Sequence, residues 1–173
     1  MRIREVIEVI NQMKADGIID RYAVGGAVGA TFYLEPVSTL DVDIFIELNA
    51  RQGLLVVDPT PIFHYLQERG CTMEGQYVVV ADSPVQFIPP GSPLAEEALN
   101  EAVERPIEET PAWVFTAEHL AALALQVGRT KDKLRIMQFI EADKLDMERF
   151  RSIVERHQLS EKWRSLERQF LNE

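Results

Sequence analysis

Apolar positions along this chain switch between a helical and a strand period in an order that predicts an α+β fold. Ile3, Val6, Ile7, Ile10 and Met13 share one face of an amphipathic helix over residues 1–13. A short apolar strand follows at Tyr22, Ala23 and Val24, and the apolar run 27–34 after Gly25 and Gly26 predicts a short helix. Leu40, Val42, Ile44 and Ile46 then alternate with Asp41 and Asp43, the period of a strand with one buried face. Residues 61–69 predict a helix stopped by Gly70. Thr72 to Val80 and Val85 to Ile88 predict strands joined by a turn over 81–84.

The second half is dominated by the helical period. Pro93 suits the first position of a helix running to Val103. Residues 104–111 hold two prolines and predict a separator, with a short strand at 113–115 after it. Thr116 caps a helix over 117–127, and further helices are predicted at 130–140, 147–157 and 161–170. Asp146 and Ser160 stand at capping positions, and Trp163 and Phe170 lie seven residues apart on a core-facing stripe. The organisation expected is an α/β core over residues 1–110 and a helical region over 111–173 packed on it.

Composition narrows the setting. With 173 residues and 46% hydrophobic residues, the chain is long and apolar enough for a real core. One cysteine, Cys71, excludes an internal disulfide framework and points to a reducing compartment. No secretory leader pattern and no apolar run of membrane-spanning length is present, so a cytoplasmic protein without a membrane partner is expected. The net charge of −10 argues against nonspecific nucleic-acid binding. It is uneven: residues 129–168 hold eleven basic and eight acidic residues, a net +3, which leaves −13 on the rest. Mixed surface charge on exposed helices accounts for that stretch more simply than an RNA-binding face does.

Candidate chemistry concentrates between Ala23 and Ile46. Asp41 and Asp43 point to one side of their strand, with Cα atoms roughly 6.5 Å apart. Two such carboxylates suit Mg²⁺, which takes one or two carboxylates plus substrate phosphates and waters. Solvated aspartates on an edge strand are the plain alternative, although aspartate is disfavoured in strands. Gly25 and Gly26 allow positive φ and close approach of a phosphate to the backbone, which a simple strand-to-helix turn would also use. The three histidines, His64, His119 and His157, are far apart in sequence and predict no metal site.

The order Gly25, Gly26, Ala27, a spacer, then Thr39, Leu40, Asp41, Val42 and Asp43 resembles the signature of the polymerase-beta-like nucleotidyltransferases. Within that superfamily it is most similar to the branch containing type IV abortive-infection toxins and related uncharacterised nucleotidyltransferases. The resemblance implies a nucleotidyltransferase-like mixed sheet flanked by helices, with a C-terminal helical part. It implies transfer of a nucleoside monophosphate from a nucleoside triphosphate to a hydroxyl, with Mg²⁺ or Mn²⁺ held by Asp41 and Asp43. Gly25, Gly26 and Thr39 would lie at the nucleotide. The run Gly128, Arg129, Thr130, Lys131, Asp132 resembles a second motif of the branch, in which Lys131 would contact phosphate and Asp132 would act near the acceptor.

Two positions depart from the pattern. A third acid is expected in the strand at 85–88, where this chain has Gln86, and a lysine is expected where it has Ala124. An amide can ligate a metal or hydrogen-bond a ribose but is a poor general base; Glu47, Asp82 and the substrate phosphate are the substitutes within reach of sequence reasoning. The acceptor implied is an RNA such as tRNA, a protein or a small molecule, and a toxin role would add an antitoxin partner. A degenerate member that binds nucleotide or a protein partner without turnover is the alternative.

Overall fold

A computed structural model describes residues 2–36, 38–39, 41–48 and 58–171. Among the described residues, seven strands form one mixed sheet: β1 (Ile19–Val24), β2 (Val42–Leu48), β3 (Thr72–Glu74), β4 (Tyr77–Val80), β5 (Ser83–Ile88), β6 (Val103–Ile107) and β7 (Thr110–Val114). Their order is β3-β4-β5-β2-β1-β7-β6. β2 runs antiparallel to β1 and parallel to β5, and β1 runs parallel to β7. The C-terminal ends of β1 and β7 therefore meet the N-terminal ends of β2 and β5 along one side of the sheet.

Helices cover both faces. α1 (Ile3–Ala15) and α3 (Thr60–Glu68) pack on one face, where Val6, Ile7, Ile10, Met13, Ile62 and Leu66 enclose the inner side of β1 and β2. The inward residues of β2 are Val42, Ile44 and Ile46, each at most 1% exposed, which confirms the alternation that turns the aspartates to the opposite face. α2 (Gly26–Ala30), α4 (Pro93–Asn100), α5 (Ala117–Val127), α6 (Thr130–Glu141), α7 (Met147–Arg156) and α8 (Ser160–Phe170) complete the molecule. α5 is apolar on nearly all sides because it is the axis of the second core, surrounded by α4, α6, α7 and α8.

Local chemistry sets the helix ends. Thr116 accepts the His119 amide at 3.3 Å, Asp146 accepts the Arg149 amide at 3.0 Å, and Ser92 accepts the Ala95 amide at 3.2 Å. Gly128 ends α5 in the left-handed conformation at φ 76°.

Several sequence expectations need correction. Residues 104–111 are not a separator: they build the β6–β7 hairpin, in which Pro106 stands opposite Pro111 and β7 joins the central sheet beside β1. Pro106 is tolerated because β6 is an edge strand, and Pro111 because β7 pairs with β1 only at Val114, away from it. Thr72–Val80 is a hairpin rather than one strand, turning at Gly75 with φ 63°. The turn expected over 81–84 is two residues long, with Ala81 and Asp82 both at positive φ, as a tight hairpin matching strand twist requires. α2 stops at Ala30 instead of Leu34, and α4 stops at Asn100 instead of Val103, which belongs to β6. Ser160 is the first residue of α8 rather than its cap. Trp163 is buried at 5% exposure, whereas Phe170 is 38% exposed and lies off the core stripe. The expected helices at 61–69, 117–127, 130–140 and 147–157 are present within about a residue or two at each end, the normal scatter of helix boundaries.

Candidate functional site

The two glycines and the second aspartate meet where β1 ends against β2. The Gly25 N–H donates to the Asp43 carbonyl at 2.9 Å, which extends the β1–β2 ladder by one residue beyond Val24 and Ile44. Gly26 then turns the chain at φ 56°, in the left-handed region that disfavours side chains. A Cβ on Gly26 would lie 2.2 Å from Asp43 Oδ2, so only glycine leaves room for that carboxylate. A Cβ on Gly25 would lie 2.6 Å from the Phe45 ring and 3.2 Å from the Phe115 ring. Phe45 and Phe115 pack at 4.7 Å between centroids and wall the turn.

Asp41 immediately precedes β2, and its carbonyl accepts the Thr39 hydroxyl at 3.2 Å. Thr39 therefore supports the backbone that delivers Asp41. Gln86 on β5 is the direct register partner of Asp43, so the amide stands beside the carboxylate across the parallel pair. Burial raises the Asp43 carboxyl above its ordinary value, and the negative charge of Asp41 raises it further. Arg135, Lys131 and Arg129 act against that rise, which places the N-terminal turns of α6 within electrostatic reach of Asp43.

Asp132 has a different environment from the other candidates. It is 2% exposed, accepts the Arg129 backbone N–H at 3.2 Å and the Arg129 guanidinium at 2.7 Å, and lies 3.9 Å from Arg135. It holds two of the three cations that face Asp43. Lys131 is exposed on the same turn. The sequence singled out Lys131 and Asp132, with Arg129 or Lys133 as a substitute for the charge missing at Ala124 and Arg135 on the same helix face as Lys131.

The two side chains weighed as substitutes for a third acid have basic partners of their own. Glu47 lies four residues further along β2, about 13 Å away, and pairs with Arg21. Asp82 sits in the β4–β5 turn, 85% exposed, 3.8 Å from Arg2.

The histidines are not isolated. Glu97 on α4 is hydrogen-bonded to His119 Nε2 at 3.1 Å, to His157 Nε2 at 2.7 Å and to Arg156. These contacts hold its carboxyl at about 2 against the opposing effect of burial. Among the described residues, the grouping of three potential metal-ligating side chains is Glu97, Glu101 and His119, and it lies among the C-terminal helices rather than at Asp41 and Asp43. Arg156 already neutralises Glu97, and Arg149 pairs with Glu101 at 2.8 Å, so this cluster reads as a tie between α4, α5 and α7.

Three solved structures share this architecture. An antigenic nucleotidyltransferase-like protein from Paracoccidioides brasiliensis matches 82% of this chain and 75% of its own, with a TM-score of 0.60 and 16% identity. The antibiotic-resistance factor ANT(2'')-Ia in solution matches 98% of this chain and 97% of its own, at a TM-score of 0.54 and 14% identity. The crystal structure of ANT(2'')-Ia with adenylyl-2''-tobramycin matches 94% and 99%, at a TM-score of 0.57 and 14% identity. The fold is therefore that of nucleotidyltransferase-like proteins. No family profile and no curated protein sequence matches the chain. No helix among the described residues is long and apolar enough to cross a membrane.

Proposed function

We propose that this protein is a metal-dependent nucleotidyltransferase whose nucleotide site is the Gly25–Gly26 turn facing Asp41 and Asp43. The observation that carries this reading is the fit of Gly26 to Asp43: a left-handed glycine at φ 56° whose missing Cβ leaves the carboxylate its space. The donor set fits Mg²⁺ or Mn²⁺, being two hard carboxylates of which Asp43 is partly buried, with open coordination positions for phosphate oxygens and water. Such an ion would neutralise charge on the triphosphate and orient it for in-line displacement.

The chain's own groups supply the rest. The backbone at Gly25 and Gly26 admits a phosphate without a side-chain clash. Arg135, Lys131 and Arg129 lower the pKa of the Asp43 carboxyl through their positive charge and would act in the same way on a triphosphate bound beside it. Asp132 is a positioning residue that fixes Arg129 and Arg135, and Thr39 fixes the backbone at Asp41. Gln86, the register partner of Asp43, would orient the metal or the sugar through its amide. In the reaction, an acceptor hydroxyl oxygen forms a bond to the α-phosphorus while the bond to the β-phosphate bridge breaks. Pyrophosphate leaves with the electron pair, and the hydroxyl proton passes to water or to a substrate phosphate, because the amide of Gln86 is a poor base.

The acceptor is a hydroxyl of an RNA such as tRNA, a protein or a small molecule. Incubating the protein with cell extract and each α-labelled nucleoside triphosphate reports activity and acceptor class together. Label in one acceptor fraction, absent with Asp41→Asn/Asp43→Asn, is expected; pyrophosphate release and label transfer indistinguishable from that variant would refute turnover. A toxin role with an antitoxin partner belongs to the same branch resemblance. Growth arrest on expression, dependent on Asp43, is its test. The second reading, nucleotide binding without turnover, is favoured by Gln86 standing where an acid would complete the site.

A further inference from the structure

A cavity of about 490 Å³ opens beside the candidate site, between the start of α5, the edge strand β6 and the connection from α6 to α7. Tyr33, Arg105, Thr116, Glu118, Lys144 and Arg149 are among its lining residues. Its volume falls in the range of small-molecule sites, about 300–1,000 Å³.

Sheet register fixes its relation to Asp43. Gly25 bonds to Asp43, and Phe115 donates its N–H to Val24 at 3.2 Å, so Asp43, Gly25 and Phe115 stand in line across β2, β1 and the end of β7. Two strand spacings separate Asp43 from Phe115, about 10 Å. The cavity begins at the next residue, Thr116. Tyr33 closes the near wall by donating its hydroxyl to the Phe115 carbonyl at 2.9 Å.

Of its charged lining residues, Arg105, Lys144 and Arg149 are basic and Glu118 and Asp143 are acidic, a net positive lining that favours an anion. Arg149 is engaged by Glu101 at 2.8 Å and stands 3.9 Å from Glu118. Glu118 also accepts the Asp146 amide at 2.9 Å. Among the described residues, Arg105 and Lys144 form no ion pair, and the Arg105 guanidinium lies 5.7 Å from the centre of the Tyr33 ring. The N–H groups of Ala117 and Glu118 lie in the first turn of α5, where no intrahelical carbonyl is available to them. Positive charge gathered in a concave site of a chain with net charge −10 favours a small anion over a polyanion, which the remaining surface would repel.

We propose that this cavity anchors the phosphate of a small phosphorylated acceptor, whose hydroxyl reaches towards the nucleotide at Asp41 and Asp43. The acceptor assignment rests on the nucleotidyltransferase reading; the binding site itself does not. An acceptor with more than about 10 Å between phosphate and hydroxyl, longer than a pentose phosphate, spans the gap.

The probe is ribose 5-phosphate, titrated into isotopically labelled protein without nucleotide and followed by amide shifts, with ribose and a short RNA as parallel arms. Ribose 5-phosphate is expected to shift Tyr33, Thr116 and Lys144, and ribose to shift none of them. Arg105→Glu and Lys144→Glu should each weaken binding at least 10-fold, while Arg168→Glu on the distant α8 leaves it unchanged. Equal response to ribose, no response to ribose 5-phosphate, or indifference to both cavity variants would overturn the proposal. Response to RNA alone would overturn the small-acceptor assignment. A separate nucleotide titration keeps the two readings apart: ribose 5-phosphate binding without nucleotide binding retains the cavity and removes the transferase, and the reverse result removes only the cavity.

Discussion

Replacing Gly26 by alanine separates two effects that the structure superimposes at one residue. The first is backbone strain, because Gly26 sits at φ 56° and a non-glycine residue there costs about 1–2 kcal/mol. The second is displacement of Asp43. The new Cβ would meet Asp43 Oδ2 at 2.2 Å, while ordinary contact begins at 3.4 Å, so the carboxylate or the turn must move by more than 1 Å. A misplacement of about 1 Å in a positioned catalytic group reduces rate on the order of 10²-fold. Gly70 provides the matched control: it has φ 80° and nothing within 4 Å of a built Cβ, so Gly70→Ala carries the strain alone. Both variants should lose similar stability in urea unfolding. Gly26→Ala should lose about 10²-fold in label transfer, or in metal-dependent nucleotide affinity if turnover is absent, while Gly70→Ala keeps both. Equal activity of the two variants would show that Asp43 does not depend on the space beside Gly26.

Three further outcomes follow from particular contacts. Burial lowers the His119 pKa below its ordinary 6.5 despite the Glu97 hydrogen bond, so stability is full above that pH and falls as acid protonates the unfolded chain preferentially. Glu97, held at about 2, adds a loss that starts near 4.5 and continues down towards 2. Urea midpoints measured from pH 7.5 to 2.5 should show both phases. Glu97→Gln should flatten the lower one, and an unchanged curve would refute the tie between α4, α5 and α7. Phe150 is fully buried and meets Trp163 edge-on at 5.0 Å, so Phe150→Ala should cost about 3–5 kcal/mol in urea unfolding; a loss under about 1 kcal/mol would contradict the packing assigned to that core. Gln86→Glu places a third carboxylate beside Asp43, and a general base contributes about 10²–10⁴-fold where deprotonation limits the rate. Raised turnover would identify the amide as the limiting feature, and unchanged turnover would exclude it.

Most helices and the site strand were legible because their signals are local. The alternation Val42, Ile44, Ile46 fixed which face Asp41 and Asp43 occupy, and Thr116 and Asp146 marked helix starts through their side-chain oxygens. The β6–β7 hairpin was hidden because Pro106 and Pro111 signal a break, and only the sheet context shows Pro106 on an edge strand and Pro111 on the part of β7 that does not pair with β1. The Gly25–Gly26 motif was readable, but not the reason for glycine at 26, since the Asp43 carboxylate that excludes a Cβ lies 17 residues away in the chain. The Glu97 network joins residues 22 and 60 positions apart, a separation that periodicity cannot bridge. Asp132 carried a motif signal and its pairs with Arg129 and Arg135 are local i,i+3 contacts, but its burial to 2% exposure is a result of tertiary packing.

Calorimetric titration of ATP, CTP, GTP and UTP, with and without Mg²⁺, reads the Gly26–Asp43 pocket directly. At least one nucleotide should bind only when the metal is present, and Asp41→Asn/Asp43→Asn should abolish that binding while leaving the unfolding midpoint close to the parent's. Failure of all four nucleotides to bind the folded parent protein, or metal-dependent binding that survives loss of both aspartates, would contradict a nucleotide site at this turn.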